Sequence, residues 1–248
     1  MTEVACVVLP TYNEASNVSK LIPRIFAQAD HIPTHELHVL IVDDESPDGT
    51  SDVVRKLQQQ WPHLHLLSGE KKGLGVAYTR GFDYATNELN AALVFQMDAD
   101  FQHDPTLLPL FASLSQFGFS LVIGSRFGPG GSTPDFDFRR RLMSRVATWL
   151  VCRFGGVAGL RDCTSGYRCI STAILRNCDL SKLSTRGYSF QSSLLCELIW
   201  RGAKVIEIPI VFGKREAGES KLTFRDQLEF LVSLPRLFMT GRKRRRAG

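Results

Sequence analysis

The run Ala91-Ala92-Leu93-Val94-Phe95-Gln96-Met97 leads directly into Asp98-Ala99-Asp100-Phe101-Gln102, and this junction decides the fold class. The first part is apolar and rich in strand-forming residues, so it predicts a buried strand. The second part places two carboxylates where that strand ends. Ligands of open parallel sheets bind beyond the carboxyl ends of the strands. The junction therefore predicts an α/β protein with its functional groups at one edge of the sheet.

Strand-like runs and helical patterns alternate through the first half of the chain. The predicted strands are 4–9, 37–42, 64–67, 91–97 and 121–124, and the predicted helices are 15–29, 50–60, 73–86 and 105–116. This order implies right-handed crossovers and a mainly parallel, Rossmann-like sheet flanked by helices on both faces. At 248 residues and 44% hydrophobic, the chain is long enough to bury such a core.

The second half predicts further helices, two of them amphipathic. Residues 139–160 mix arginines with large apolar side chains, a pattern typical of a helix on a membrane surface. An ordinary core helix with a charged outer face is the alternative. A helix is also predicted over 189–201 and a strand over 204–208. Residues 223–239 carry a second amphipathic pattern, interrupted near Pro235.

Positive charge is concentrated in two clusters, although the formal net charge is only +5. One is Arg139-Arg140-Arg141 with Arg145, and the other is the tail Arg242-Lys243-Arg244-Arg245-Arg246. Such clusters favour phosphate-rich partners or an anionic membrane surface. A solvated, disordered end is the alternative for the tail. Because no nucleic-acid-binding signature accompanies the clusters, we do not expect a nucleic-acid partner.

The remaining composition predicts a cytoplasmic protein, bound peripherally to the cytosolic face of a membrane. The six cysteines form no CxxC pair, and the six histidines offer no partner at zinc-ligand spacing. Scattered thiols indicate a reducing compartment. The sequence opens on a strand-like run rather than a signal peptide, and no apolar stretch reaches the roughly 20 residues that span a bilayer.

The turn after the first predicted strand excludes two common nucleotide sites. It reads Pro10-Thr11-Tyr12-Asn13-Glu14 and has no glycine pair. A dinucleotide-binding turn needs Gly-x-Gly-x-x-Gly, and a P-loop needs Gly-Lys-Ser/Thr. Hydride transfer and P-loop hydrolysis therefore lose their main support.

Acidic residues follow two of the predicted strands instead. Asp43 and Asp44 end the second strand, and Asp98 and Asp100 end the fourth. Carboxylates repel a nucleotide's phosphates unless a hard divalent cation, Mg²⁺ or Mn²⁺, lies between them. Gln102 adds a neutral oxygen. The alternative is that the acids form a turn or a helix N-cap, and Asp104-Pro105 does look like a helix start.

A set of ordered motifs carries a resemblance to a known family. They are 8–14, 42–50, 73–78, 97–105, 124–126, 140–145, 164–168 and 218–221. In this order they resemble family-2 glycosyltransferases of the GT-A fold, and among those the dolichyl- and polyprenyl-phosphate mannose synthases. The resemblance covers residues 4 to about 222. The chain departs from the common pattern at Glu45 and Phe101, neither of which would change a charged role.

The resemblance implies roles for the matched residues. The residues that would bind the nucleotide are Pro10, Tyr12, Glu14, Asp44 and Asp98, and the metal ligands would be Asp98, Asp100 and Gln102. The acceptor phosphate would be bound by Arg126, Arg140 and Ser144. The donor loop would contribute Arg215 and Lys221. Asp100, Arg126 and Arg215 would be the catalytic residues.

The resemblance also implies an activity. It is the transfer of mannose from GDP-mannose to a dolichyl or polyprenyl phosphate, with inversion, giving the β-mannosyl phosphate and GDP. Residues 1–222 would form the catalytic domain, and 223–248 an amphipathic helix with a basic tail. Whether a membrane partner subunit is required stays open.

Three alternatives remain at this point. A UDP-sugar could replace GDP-mannose, making the chain a glucosyl- or N-acetylglucosaminyltransferase. A metal-dependent phosphohydrolase or nucleotidyltransferase is a rival of another class, although the first strand lacks the Asp-x-Asp or glycine-rich loop that these need. A nucleotide-sugar-binding module without catalysis is the third.

Overall fold

A mixed seven-stranded sheet forms the centre of the computed structural model, which describes residues 2–183 and 187–213 together with Pro235 and Met239. The strands are β1 (Glu3–Thr11), β2 (His35–Asp43), β3 (Leu64–Ser68), β4 (Leu93–Gln96), β5 (Leu121–Ser125), β6 (Arg168–Ser171) and β7 (Val205–Pro209). Their order across the sheet is β3-β2-β1-β4-β6-β5-β7. All neighbouring pairs are parallel except those of β6. The predicted mainly parallel sheet is confirmed.

Helices cover both faces of this sheet. They are α1 (Ala15–Phe26), α2 (Thr50–Leu57), α3 (Leu74–Asn87), α4 (Leu108–Gln116), α5 (Phe138–Gly155), α6 (Thr172–Leu175) and α7 (Gly187–Trp200). Side chains alternate along β1, so that Val7 packs with α1, α2 and α4, while Val8 packs with α3, α5 and α7. Two apolar layers result, and burial on both faces explains why the strands read as nearly continuous apolar runs.

Strand β6 was not expected from the sequence. It runs antiparallel between β4 and β5, pairing Phe95 with Cys169 and Val122 with Cys169. Its four residues are too few to show a periodicity, and it begins with a fully buried arginine, Arg168. Tertiary pairing with two central strands, rather than local propensity, selects this conformation.

Helix α5 turns its large apolar side chains outward. Its buried positions are Ser144, Thr148, Val151 and Gly155. The opposite side exposes Phe138, Leu142, Met143, Val146 and Trp149, with Trp149 63% exposed. We call these five residues the outer face of α5. An ordinary core helix would bury such residues, whereas α5 buries Val151 but exposes these five.

Two further findings concern the predicted membrane-facing segments. No helix among residues 2–183 and 187–213 has the length and apolar character to cross a bilayer. Three predicted features lie outside the described residues: the donor-loop residues Arg215 and Lys221, the basic tail, and the helix over 223–239 apart from Pro235 and Met239. The boundary predicted at residue 222 falls there as well.

Candidate active site

Three of the predicted site residues follow neighbouring strands at the carboxyl edge of the sheet. Strand β1 lies between β2 and β4, and all three are parallel. Their ends therefore bring Tyr12, Asp44 and Asp98 to the same edge. This is the edge where α/β proteins bind their ligands.

Asp43 has a structural role at this edge. Its fully buried carboxylate accepts hydrogen bonds from Thr11 Oγ1 (2.8 Å), Ser51 Oγ (2.8 Å) and both the backbone nitrogen and hydroxyl of Ser46. These bonds fix the end of β1 to the loop after β2. Of the two adjacent acids, Asp43 thus holds the loop, which leaves Asp44 as the candidate for ligand binding.

Asp44 is nearly buried, with 8% of its surface exposed. Burial raises the pKa of its carboxyl group, against the opposing effect of the Arg80 guanidinium, whose Nη2 lies 3.3 Å from Asp44 Oδ1. Nearby, the ammonium group of Lys71 lies 3.3 Å from the ring centroid of Tyr12. Neither Arg80 nor Lys71 was singled out in the sequence, because both follow β3 at positions without a motif.

The segment Asp98 to Gln102, called the acidic run below, places its two carboxylates in different environments. The Asp98 side chain is 36% exposed, and Tyr78 donates a hydrogen bond to its Oδ1 (3.3 Å). Asp100 is 6% exposed, and its Oδ1 accepts a hydrogen bond from the backbone nitrogen of Gln102 (3.1 Å). The Gln102 amide nitrogen donates to the Gly213 carbonyl (3.2 Å). An amide nitrogen can only donate, so the amide oxygen is the atom of Gln102 that could act as a cation ligand.

His103 is buried behind the acidic run. It is 1% exposed, its ring stacks on Tyr167 with centroids 4.8 Å apart, and its Nδ1 accepts a hydrogen bond from the Asp98 backbone nitrogen (3.0 Å). Burial lowers the pKa of His103 to about 4, so the ring is neutral at physiological pH. His103 therefore supports the backbone of the acidic run.

The helix cap and the acidic run are separate features. Asp104 accepts a hydrogen bond from the Thr106 backbone nitrogen at 2.9 Å and precedes the short 3₁₀ turn Pro105–Leu107 that leads into α4. Asp104 thus performs the N-cap role that was the alternative for the whole run. Asp98 and Asp100 lie before this cap, although Asp100 does make a local turn contact with Gln102.

Arg126 follows β5 and forms a buried ion pair. Its Nε and Nη2 each lie 2.7 Å from an Asp162 oxygen, and Nη2 also donates to Thr164 Oγ1 (2.6 Å). Arg126 is 4% exposed and Asp162 fully buried. Burial acts to raise the pKa of Asp162, but the Arg126 charge and hydrogen bonds bring the pKa below its ordinary value. Arg126 therefore forms a buried salt bridge just beyond the end of β5.

Arg140 and Ser144 lie on α5, next to this ion pair. The Arg140 guanidinium lies 3.9 Å from the ring centroid of Phe136, and the Arg126 guanidinium lies 5.8 Å from the same ring. Ser144 is 5% exposed, on the inward side of the helix. Both guanidinium groups thus lie near the same aromatic ring, and the acceptor-phosphate role of Arg126, Arg140 and Ser144 stays a prediction.

The loop before β6 contributes residues that received no role from the sequence. A Cβ on Gly166 would lie 3.2 Å from Gln191 Nε2 and 3.8 Å from the Asp98 oxygens, so glycine permits this close approach. Arg168 donates to the Gln191 and Cys163 carbonyls (2.9 and 3.2 Å), and burial lowers its pKa to about 10. The motif 164–168 was visible in the sequence, but its partners were not.

Comparison with known proteins assigns this fold and site to a class. The family model described as "Glycosyl transferase family 2" matches residues 6–182. The chain is 35% identical over 249 residues to polyprenol monophosphomannose synthase of Mycolicibacterium smegmatis, covering 100% of this chain and 91% of the relative. It is also 35% identical to undecaprenyl-phosphate mannosyltransferase of Micrococcus luteus, covering 95% and 94%.

Solved structures share the fold. Mannosyl-3-phosphoglycerate synthase from Rubrobacter xylanophilus has a TM-score of 0.66 at 19% identity, covering 95% of this chain and 73% of that one. The mannosyltransferase PcManGT from Pyrobaculum calidifontis, solved with GDP-Man and Mn²⁺, has a TM-score of 0.58 at 18% identity, covering 100% and 75%. The chain belongs to glycosyl transferase family 2 and is a glycosyltransferase with a GT-A-like fold. This membership removes the support for a phosphohydrolase or nucleotidyltransferase.

Proposed function

We propose that the chain transfers mannose from GDP-mannose to a polyprenyl phosphate, with inversion at the anomeric carbon. The observation that carries the proposal is that the acidic run lies at the same edge of the sheet as Arg126, which follows β5, and that Arg140 of α5 lies near Arg126. Relatives of nearly equal length named as mannose transferases to polyprenyl carriers support the sugar and the acceptor. A neighbour of the same fold was solved with GDP-Man, which supports the donor.

The residues of the acidic run fit a divalent cation. Asp98, Asp100 and Gln102 offer only oxygen ligands, the type that Mg²⁺ and Mn²⁺ prefer. Asp98 is partly exposed, whereas Asp100 and Gln102 are buried, so the group is open on one side. The ion would neutralise the donor's diphosphate and its developing negative charge. Tyr78 donates a hydrogen bond to Asp98 Oδ1, and His103 accepts one from the Asp98 backbone nitrogen. Both residues therefore help to orient Asp98.

The acceptor needs positioning more than activation. A phosphate monoester is already ionised at neutral pH, so no strong general base is required. Arg126 and Arg140 supply positive charge on the side of the site next to α5. Their guanidinium groups suit phosphate oxygens. An in-line attack by the acceptor oxygen would give a β-linked product from an α-linked donor.

A donor and product assay tests the proposed activity. Full-length protein with a short polyprenyl phosphate and Mg²⁺ or Mn²⁺ should convert radiolabelled GDP-mannose to a lipid-soluble product, and a chelator should abolish the conversion. NMR of the product should show the β anomer. Turnover of UDP-glucose with none of GDP-mannose would contradict the donor assignment, and an α-linked product would contradict inversion.

The outer face of α5 supports peripheral membrane binding. The exposed apolar residues lie on the helix that also carries the exposed Arg139 and Arg145. Apolar contact and attraction to anionic headgroups both strengthen interfacial binding. The long apolar chain of the acceptor could then stay in the bilayer while its phosphate reaches the site.

Replacing part of the outer face should weaken vesicle binding. We expect Leu142→Ser with Trp149→Ser to reduce binding to phosphatidylglycerol vesicles at least about tenfold, because each large apolar side chain contributes about 1.5–3 kcal/mol when fully buried. Co-sedimentation measures the effect. Phe117→Ser is the control, since Phe117 is 79% exposed but follows α4. Equal losses in both variants would contradict a specific role for α5.

A further inference from the structure

A second polar cluster lies at the opposite ends of the strands from the acidic run. It consists of Glu36 and His38 on β2 with His63 and His65 at the start of β3. In the parallel register, Val39 pairs with Leu64 and Leu40 with His65. Alternate residues of adjacent strands share a face, so all four side chains project from the same side of the sheet. The sequence offers no histidine partner at zinc-ligand spacing, and these residues meet only through the register of β2 and β3.

Three ligand atoms of this cluster converge. Glu36 Oε1 lies 2.7 Å from His38 Nε2 and 3.3 Å from His63 Nδ1. One ligand atom from each of the three residues lies within 4.8 Å of the other two. Two imidazoles and one carboxylate are a ligand set for divalent transition metals, whereas Mg²⁺ and Ca²⁺ prefer sets made of oxygen atoms.

His65, the fourth residue of the cluster, orients His38. His65 Nε2 lies 2.9 Å from His38 Nδ1, the ring nitrogen that faces away from Glu36. Metal-binding histidines almost always engage their other ring nitrogen in a hydrogen bond, which fixes the ring. The His65 ring is in turn stacked on His38 at 5.1 Å and tilted against Tyr84 at 6.2 Å. His38 is thus held with Nε2 directed at Glu36.

We propose that Glu36, His38 and His63 bind a Zn²⁺ ion, with His65 as the positioning residue for His38. Tetrahedral zinc ligands lie about 3.3 Å apart, given bonds of about 2.0–2.1 Å. The Glu36–His63 separation matches this, and the Glu36–His38 separation must open by about half an ångström. Glu36 can move, since its side chain is 48% exposed. With Zn²⁺ on Nε2, the His38 ring carries its proton on Nδ1 and donates it to His65 Nε2, so each of the two rings keeps one proton.

The ion would join the edge strand β3 to β2. Among the described residues, β3 is the terminal strand of the sheet and pairs with β2 alone. The partly exposed Glu36 and His63 leave room for a water ligand on the outer side of the ion. The site lies at the start of β2, whereas Asp43 and Asp44 lie at its end, so it is distinct from the nucleotide edge.

Zinc titration of the full-length protein tests the proposal. Competition with a chromogenic chelator, in excess Mg²⁺ to fill the acidic run, should reveal tight Zn²⁺ binding. We expect His63→Gln to weaken it at least about 100-fold and His65→Gln about 10–100-fold. His31→Gln, at an exposed histidine outside the cluster, is the matched control and should bind as the wild type does.

Thermal unfolding gives a second measurement. Zn²⁺ should raise the melting temperature of the wild type and of His31→Gln, but not of His63→Gln. His63 is 46% exposed, so the three proteins should melt alike without zinc. Equal zinc affinity of His63→Gln and His31→Gln would overturn the proposal. Loss of tight binding in Asp100→Asn instead of His63→Gln would overturn it too, by locating the zinc at the acidic run.

Discussion

Asp100→Asn should lower the rate of sugar transfer at least about 1,000-fold, because it removes one of the charges that would hold the cation and, through it, the donor diphosphate. The substitution is nearly isosteric. The amide oxygen can still accept the hydrogen bond that Asp100 Oδ1 receives from the Gln102 backbone. The loop should therefore persist, and the melting temperature should change by only a few degrees. Radiolabelled transfer and circular dichroism measure the two effects.

Asp104→Asn is the matched control for Asp100→Asn. Asp104 belongs to the same loop but is exposed, and its carboxylate caps the turn before α4 through the Thr106 nitrogen. Asparagine is an equally good N-cap, so stability should be retained. Asp104→Asn also removes one negative charge. Full activity of Asp104→Asn would therefore show that the loss in Asp100→Asn reflects a specific role of Asp100 and not a general loss of negative charge. Activity of Asp100→Asn within tenfold of the wild type would contradict the proposed cation site.

Arg126→Ala should destabilise the protein by about 3–5 kcal/mol, because it leaves the fully buried Asp162 carboxylate without its partner. Urea unfolding measures this change. Arg55→Ala is the control, since Arg55 forms an exposed pair with Asp52 at 2.8 Å, and such pairs contribute about 0–1 kcal/mol. A loss below about 1 kcal/mol in Arg126→Ala would contradict a structural role for the buried pair.

A double variant separates the structural role of Arg126 from its proposed role at the acceptor phosphate. Arg126→Met with Asp162→Asn removes both charges, and the asparagine oxygen can still accept a hydrogen bond from the buried backbone nitrogen of Arg126 or Thr164. We expect this variant to fold and to lose transfer at least about 100-fold, the effect of deleting one charge-stabilising donor. A folded and fully active double variant would limit Arg126 to holding the loop around Asp162.

The central strands and the acidic site could be predicted because their signals are local. Strands β1 to β5 are apolar runs, and Asp44 and Asp98 directly follow two of them. Burial on both faces produces such runs without any knowledge of pairing. Strand β6 has no such signal, since it is four residues long and its conformation depends on β4 and β5.

The contacts that could not be predicted join residues far apart in the chain. Asp162 is 36 residues from Arg126, and no local pattern in the sequence indicates that the two residues pair. His38 and His65 are 27 residues apart and meet only through the parallel register of β2 and β3. The separation of these histidines along the chain reflects two paired strands rather than a short metal-binding loop. The orientation of α5 was left open for a similar reason, because its composition alone does not say which side faces the core.

The Arg126–Asp162 pair also bears on how an anionic acceptor would be attracted from a distance. At separations longer than the pair itself, the two opposite charges largely cancel, so Arg126 contributes little to the electrostatic potential above the site. The exposed arginines of α5, Arg139 and Arg145, are not compensated in this way by a buried carboxylate partner among the described residues. Under the proposed function, ionic strength should therefore affect capture of the acceptor through α5, while the short-range contacts of Arg126 are largely insulated from salt by burial.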